Sequence, residues 1–476
     1  MILTMVWDGL RPDMITPERT PFLYARSRRG VTCQHSHAVF PTATRINSSS
    51  LATGCYPGRH GIVDNELYIP SINRWQATSC ADWSALQEMA GREGGRLLTT
   101  PTLGEIVRQA GKVMASAGSG SPGTTFLTNP TLAGPIVNWA VAWPQEVVSQ
   151  LETAELDLLD DRSTSTERNR YVIRAVTDLL LPHYRPDVLT LWFTEPDHIQ
   201  HADGLASEAT LAMLRELDED VEGLVKSVEA FYGADQATCF VISDHGFSTV
   251  AARVDPDRVL SEAGFVMAAN GHPGIVRASN SLFLDDVSRA RIGDLAACLL
   301  DQPWISGVFV RDDLAELCPG VMLQSEVGGN HIRSAELMFS YRWSDEANAQ
   351  GIPGSVMHPA PIVAIHGSSS PWTLNNTLVG WGAGLKADTV SAVPCGIVDI
   401  APTILHLLGI PAPDALQGRV LEELLSDGID PMHVEVDHTE KRSAIAGKSK
   451  RCQTARFSQA LGHRYLDQVQ IKSCDD

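Results

Sequence analysis

"CFVISDHG", residues 239–246, is a short apolar run that ends in two side chains able to bind a metal, Asp244 and His245. Three other segments share that form: "ILTMVWDG" ends at Asp8, "VLTLWFTEPD" at Asp197 and "PIVAIHG" at His366. Unbroken apolar runs of this length suit strands buried on both faces, as in a mostly parallel sheet covered by helices. In open α/β sheets, ligands bind at the carboxyl ends of the strands. Four strands that each end in Asp or His therefore predict an α/β fold with one sheet edge lined by metal-competent groups.

Between these runs the chain reads as helix. Leu214, Leu217, Val221, Leu224 and Val228 recur at 3,4 spacing and give one core-facing stripe between Leu205 and Phe231. "TPTLGEIVRQAGK", Thr100 to Lys112, has a Thr-Pro start and closes at Gly111, and "IVDIAPTILHLLGIPAP" has a Gly-x-Pro stop. From about residue 247 to 355 the pattern loosens into strand-like pieces, "SLFLDD" and "WISGVFV", among Gly- and Pro-bearing loops. The expected organisation is a catalytic core of residues 1–246 and 356–428 and an inserted cap of 247–355. A polar C-terminal extension, 429–476, is expected to hold a single strand, "HRYLDQVQI".

The 476 residues, 43% hydrophobic and 20% charged, can bury a large core. With 37 Lys and Arg against 57 Asp and Glu, the net charge of −20 argues against a nucleic-acid polymer as partner. A small phosphate ester stays open, because a bound metal dominates the field locally. No apolar run reaches the length of a membrane span, and "MILTMVWDG" lacks the basic region and cleavage site of a signal peptide. The nine cysteines are scattered without a C-x-x-C pair, so the expectation is reduced thiols and a cytoplasmic location.

Seven residues could carry chemistry. Asp197 and His201, four apart in "DHIQH", face the same way on a helical turn. Asp244 and His245 are adjacent at a strand end, and Asp8, His366 and Thr44 complete the set. Oxygen and nitrogen ligands at roughly 2 Å suit zinc or manganese. Each residue alone has an ordinary explanation, such as a surface pair, a helix cap or a core histidine. "FPTATRINSSSLATGCYPGRHG", Phe40 to Gly61, offers two nucleophiles. Thr44 heads a short helix, while Cys55 opens C-x-P-x-R, the pattern that directs sulfatase cysteines to formylglycine.

In combination and order, these residues resemble the alkaline phosphatase superfamily. Within it, the chain is similar to the type I phosphodiesterase/nucleotide pyrophosphatase branch and the related phosphonoacetate hydrolases. The resemblance rests on "DGLRPD", "FPTATRIN", "TGCYPGRHGIVDN", "EPDHIQH", "SDHGF", "AIHG" and "VDIAPTILHLLGIP", spanning Met5 to Pro411. It implies an alkaline-phosphatase-like sheet with a cap, and two divalent ions, zinc with manganese or iron as alternatives. One ion would be held by Asp197, His201 and His366, the other by Asp8, Asp244 and His245 with Thr44 as the bound nucleophile. Asn65 falls where the family hydrogen-bonds a phosphoryl oxygen. In sulfatases of this superfamily the modified cysteine occupies the nucleophile slot, about nine residues before the T-G string. Here Thr53-Gly54 lies nine residues after Thr44, which puts Cys55 downstream of that slot.

The expected activity is hydrolysis of a small phosphodiester or nucleotide-like ester through a phospho-threonine. The alternatives are a phosphomonoesterase or phosphonate hydrolase on the same site, then a sulfatase or a non-catalytic metal-binding scaffold. Phosphonoacetate hydrolases carry substrate-binding lysines where this chain has "VMASAGSGSPGTT". Nucleotide-cleaving members carry an aromatic residue directly after the nucleophile, where this chain has Arg45. Arg45 is therefore read either as a solvated or salt-bridged side chain or as a contact to an additional negative charge on the substrate, such as a monoester oxygen or an acidic leaving group.

Overall fold

The structure, a computed structural model, describes residues 1–269, 272–444 and 451–473. Its centre is a sheet of nine strands, in spatial order Thr389–Ser391, Val31–Cys33, Leu378–Gly382, Thr238–Ile242, Ile2–Trp7, Val188–Phe193, Met114–Gly118, Ile136–Asn138 and Ala142–Trp143. Ile2–Trp7 pairs in parallel with both Thr238–Ile242 and Val188–Phe193. Antiparallel pairing enters through Leu378–Gly382 and at the Ala142–Trp143 edge. All six residues of Ile2–Trp7 and of Val188–Phe193 are buried, as expected for strands covered on both faces. Two apolar layers cover the sheet. One packs Ile46, Leu51 and Ile404 against Val6 and Trp192; the other packs the Glu208–Tyr232 helix against Leu3, Leu191 and Val241.

The predicted stripe of that helix, Leu214, Leu217, Val221, Leu224 and Val228, is buried. The helix after Thr100 starts two residues later than its Thr-Pro pair implies. Thr102 is the N-cap and forms a capping box with Glu105, and the helix runs Leu103–Gln109.

The structure differs from the sequence reading in three places. "PIVAIHG" does not supply a strand of the central sheet. Ala364–Ile365 is a two-residue strand in a separate four-stranded sheet with Ser248–Arg253, Pro353–His358 and Trp343–Ala347. The expected cap boundary at 355/356 falls inside Pro353–His358. The C-terminal extension holds three strands, Asp437–Ala444, Arg451–Ala460 and His463–Ser473, where one was expected. The first is almost wholly exposed, so no apolar alternation marks it.

A five-stranded sheet, Val276–Ala278, Ser281–Phe283, Leu337–Tyr341, Ile305–Val310 and Met322–Leu323, has its own core with the Ile292–Leu300 helix. The C-terminal strands tie this region to the central one: Trp343 Nε1 donates to the Val469 carbonyl at 2.9 Å, and Tyr465 Oη to Asp399 at 2.8 Å. Among the described residues, seven cysteines are free and Cys452 is disulfide-bonded, so the thiols are not all reduced. Among the described residues, no helix is long and apolar enough to cross a membrane.

Candidate active site

Three neighbouring strand ends and one loop build the site. The Asp197 N–H donates to the Asp8 carbonyl at 2.9 Å, stitching two strand ends together just beyond the sheet. Gly9 takes φ +70°, open to glycine without a Cβ penalty, and its N–H donates to Asp244 Oδ1 at 3.1 Å. Trp192 Nε1 donates to Asp8 Oδ2 at 2.9 Å. Three carboxylate oxygens are thereby left buried without a hydrogen-bond partner: Asp8 Oδ1, Asp197 Oδ1 and Asp244 Oδ2.

The three histidines share one orientation. His201 Nδ1 faces the Ala364 carbonyl at 2.9 Å, His366 Nδ1 the Thr42 carbonyl at 2.8 Å, and His245 Nδ1 the Gly246 carbonyl at 3.0 Å. A carbonyl only accepts, so Nδ1 carries the proton in each ring and, in the neutral imidazole, Nε2 presents a lone pair. Those lone pairs face carboxylates. His201 Nε2 and His366 Nε2 lie 3.3 and 3.4 Å from Asp197 Oδ1. His245 Nε2 lies 3.1 Å from Asp244 Oδ2 and 3.6 Å from Asp8 Oδ1. Buried acceptors facing buried acceptors repel, and a cation between them removes the repulsion.

Two sets of ligand atoms close within 4.8 Å: Asp197, His201 and His366, and Asp8, Asp197 and His245. The donors are carboxylate oxygen and imidazole nitrogen without thiolate, a fit for divalent metal ions. Titration is shifted by the same crowding. Burial, then Asp244 and Asp197, push Asp8 well above the usual carboxylate range. Burial pushes His366 well down, helped by His245, whose ring stacks on it at 3.7 Å. Burial works to raise Asp197, but His201 and His366 outweigh it and hold Asp197 low. His201 moves the other way: burial lowers it and Asp197 lifts it more.

Thr44 is the first residue of the Thr44–Thr53 helix, and its Oγ1 lies 3.4 Å from His245 Nε2. Asn47 pins that helix start, accepting from the Val39 N–H at 2.8 Å and donating to the Ala43 carbonyl at 3.1 Å. Asn65 Oδ1 accepts the Arg45 N–H at 3.0 Å, which fixes the amide orientation and leaves the NH₂ as the donor end. Arg45 itself donates through Nη2 to Ser121 Oγ at 3.0 Å, while its Nε is buried without an acceptor. Ser121 lines a cavity of 930 Å³ whose walls include Trp83, Trp139, Thr194 and His198.

All seven expected metal-site residues converge, and Arg45, the residue after Thr44, holds Asn65 by one hydrogen bond. One detail is new: Asp197, expected in a single set, belongs to both, while Asp244 borders the second set through Oδ2. Sequence reading missed Trp192 and Asn47. Nothing marks one Trp in an apolar strand as the partner of an Asp on the next strand. Asn47 opens a run of four polar residues, Asn47 to Ser50, within which nothing in the sequence singles it out.

Cys55 lies beyond the far end of the Thr44 helix, after Gly54, which ends the helix at φ 63°. At about 1.5 Å per residue, that puts it on the order of 16 Å from Thr44 along the axis. It is fully buried, and its thiol donates to the Ala415 carbonyl at 3.3 Å. Cys55→Ala is expected to keep ester turnover within about twofold and to cost about 1 kcal/mol of stability. Parallel kinetics and thermal melts check this, and loss of turnover in a protein that still folds would restore Cys55 as the nucleophile.

The type I phosphodiesterase/nucleotide pyrophosphatase family model matches residues 2–303. The chain belongs to this family. Ectonucleotide pyrophosphatase/phosphodiesterase family member 1 of Rattus norvegicus is 26% identical over 243 residues, 50% of this chain and 22% of that protein. Family member 7 of Homo sapiens is 26% identical over 265 residues, 53% of this chain and 49% of that protein. The chain thus spans about half, or less, of the length of these relatives. Among solved structures, an inactive variant of murine ectonucleotide pyrophosphatase/phosphodiesterase 5 in complex with AMP matches with a TM-score of 0.62 at 17% identity. That match covers 89% of this chain and 99% of the other. Wild-type alkaline phosphatase PafA matches with a TM-score of 0.68 at 16% identity, over 89% of this chain and 98% of its own. These two likenesses carry the alkaline-phosphatase-like fold.

Proposed function

We propose that the chain is a two-metal hydrolase of phosphoric esters that works through Thr44, with a small phosphodiester or nucleotide-like ester as substrate. The observation that carries this reading is the pairing of Thr44 Oγ1 with a buried cluster whose carboxylate oxygens and imidazole lone pairs lack a counter-charge. Asp197, His201 and His366 would hold one ion, and Asp8, Asp244 and His245 the other, with Asp197 near both. Bound there, divalent ions supply activation of a hydroxyl and neutralisation of a leaving oxygen.

The chain's own groups do the rest. Thr44 Oγ1 bonds to phosphorus as the bond to the leaving oxygen breaks, and the threonine proton passes to water. The Asn65 NH₂ donates to a non-bridging oxygen in that transition state. Water then bonds to phosphorus, the Oγ1–P bond breaks and Thr44 recovers its hydroxyl. The cavity beside Arg45 and Ser121, with Trp83 and Trp139 in its walls, is large enough for a nucleoside-sized substituent. The murine relative's complex with AMP supports a substituent of that kind. Zinc or manganese is the proposed metal.

One observation favours the phosphomonoesterase reading as second. Arg45 Nε–H is buried without an acceptor, and the guanidinium charge is felt at Asp8, so a further phosphoryl oxygen would satisfy it. The test is metal-loaded protein with bis(4-nitrophenyl) phosphate, 4-nitrophenyl phosphate and 4-nitrophenyl sulfate. The diester is expected to be preferred and the sulfate not to be turned over. Arg45→Ala is expected to lower kcat/KM by about tenfold, the worth of one charge-assisted hydrogen bond, with the larger loss on the dianionic monoester. A preference for the monoester promotes the second reading, and turnover of no ester removes both.

A further inference from the structure

Gln200 lies on the Asp197–Asp203 helix, three residues after Asp197 and one before His201, and is wholly buried. Only half of its amide is satisfied. Nε2 donates to the Gly9 carbonyl at 3.1 Å, while Oε1 is buried without a donor among the described residues. An unpaired buried acceptor costs stability, so a glutamine in this place calls for a reason other than packing. A methionine of similar length would fill the space without the orphan oxygen.

The bond to Gly9 supplies that reason. Gly9 directly follows Asp8, and its N–H donates to Asp244 Oδ1 at 3.1 Å. One residue is thus joined to two carboxylates of the second set, to Asp8 by the chain and to Asp244 by a hydrogen bond. Its turn is also enclosed: at φ +70°, a Cβ would meet the Phe247 ring at 2.9 Å and Gln200 Nε2 at 3.2 Å. The helix holds this strand end at two successive carbonyls, Asp8 through the Asp197 N–H at 2.9 Å and Gly9 through Gln200. The first is a main-chain bond that any side chain leaves in place. The second depends on residue 200 alone.

We infer that Gln200 is a positioning residue that couples the two ion sets. The helix that presents Asp197 and His201 to one ion also holds, through Gln200 and the Gly9 turn, Asp8 and Asp244 for the other. Removing a group that orients metal ligands typically lowers metal affinity by about 10- to 100-fold. An ion bound by Asp197, His201 and His366 steadies the helix and so strengthens the second set, and by linkage the second ion strengthens the first by the same factor. The inference rests on the two-metal reading above and adds how the two sets are tied together.

The test is titration of metal-free full-length protein with zinc against a competing chelator, so that affinity rather than turnover is read. Wild type is expected to take up two ions. Gln200→Met is expected to weaken one of them about tenfold and to leave the other within about twofold. Its metal-free melting temperature is expected to stay near that of the wild type, because the orphan oxygen it removes offsets the Gly9 carbonyl it leaves unpaired. Asp244→Asn assigns the weakened ion: in that background, Gln200→Met is expected to leave the affinity of the remaining ion unchanged. Gln200→Leu is the second variant, with a different shape and the same expected loss. Equal weakening of both ions, or of neither, in variants that melt with the wild type overturns the coupling and leaves the two-metal hydrolase standing. A wild type that binds fewer than two ions overturns both.

Discussion

Thr44→Ala is expected to lower kcat on bis(4-nitrophenyl) phosphate by about 10³-fold or more, with metal content and melting temperature near those of the wild type. The side chain is 4% exposed and its Oγ1 contacts His245 Nε2 at 3.4 Å. It does not cap its own helix, which Asn47 and the Arg45–Asn65 bond hold in place. Alanine at this first helical position therefore removes the hydroxyl and little else. Thr44→Ser is the matched control, since it keeps a hydroxyl on Cβ, and is expected to recover much of the lost rate. Acid quenching during turnover, followed by peptide mass spectrometry, is expected to find a 4-nitrophenylphosphoryl group on the residue-44 peptide of the wild type and of Thr44→Ser, and none on that of Thr44→Ala. Turnover by Thr44→Ala within about tenfold of wild type, at full metal content, would mean that water attacks directly and the phospho-threonine step is wrong.

Much of this site can be read from sequence because of where its residues lie in the fold. Strands Ile2–Trp7, Val188–Phe193 and Thr238–Ile242 are buried on both faces, so each appears as an unbroken apolar run. The polar residue that ends each run is the one the sheet delivers to its edge, which is how Asp8, Asp197 and Asp244 announce themselves. Asp197 and His201 follow from the period of the helix between them.

His366 reaches the cluster by another route. Its strand is two residues long and sits in a different sheet, and the Thr42 carbonyl aims its ring. An apolar run before a histidine gives its presence but not its scaffold. The sharing of Asp197 depends on its side-chain distances to Asp8 and His245, on segments far apart in sequence, which no local period encodes. The exposed strand Asp437–Ala444 gains its ladder by pairing with Arg451–Ala460, so its own composition is free to look like loop.

Removal of the metals is expected to abolish turnover and to lower the melting temperature of the wild type by about 5 °C or more. Asp8, Asp197 and Asp244 are brought together behind the sheet edge with one oxygen each lacking a partner, and cations supply what the fold withholds. The sign follows from Asp8. Its folded-state pKa is raised by burial and by Asp244 and Asp197, so the stability it gives is present at low pH and lost as pH rises toward that raised value. Near neutral pH the metal-free fold bears the cost of that buried acid, and a bound cation removes it. Asp8→Asn takes away the charge while its amide oxygen can still accept from Trp192 Nε1. Metal-free Asp8→Asn is therefore expected to melt above metal-free wild type, although it binds metal more weakly and turns over far less substrate. Melts after exhaustive chelation and after zinc or manganese is restored, with metal analysis of both proteins, decide the matter. A metal-free Asp8→Asn that melts below metal-free wild type would show that the Asp8 carboxylate stabilises the fold by itself and is not held in wait for a cation.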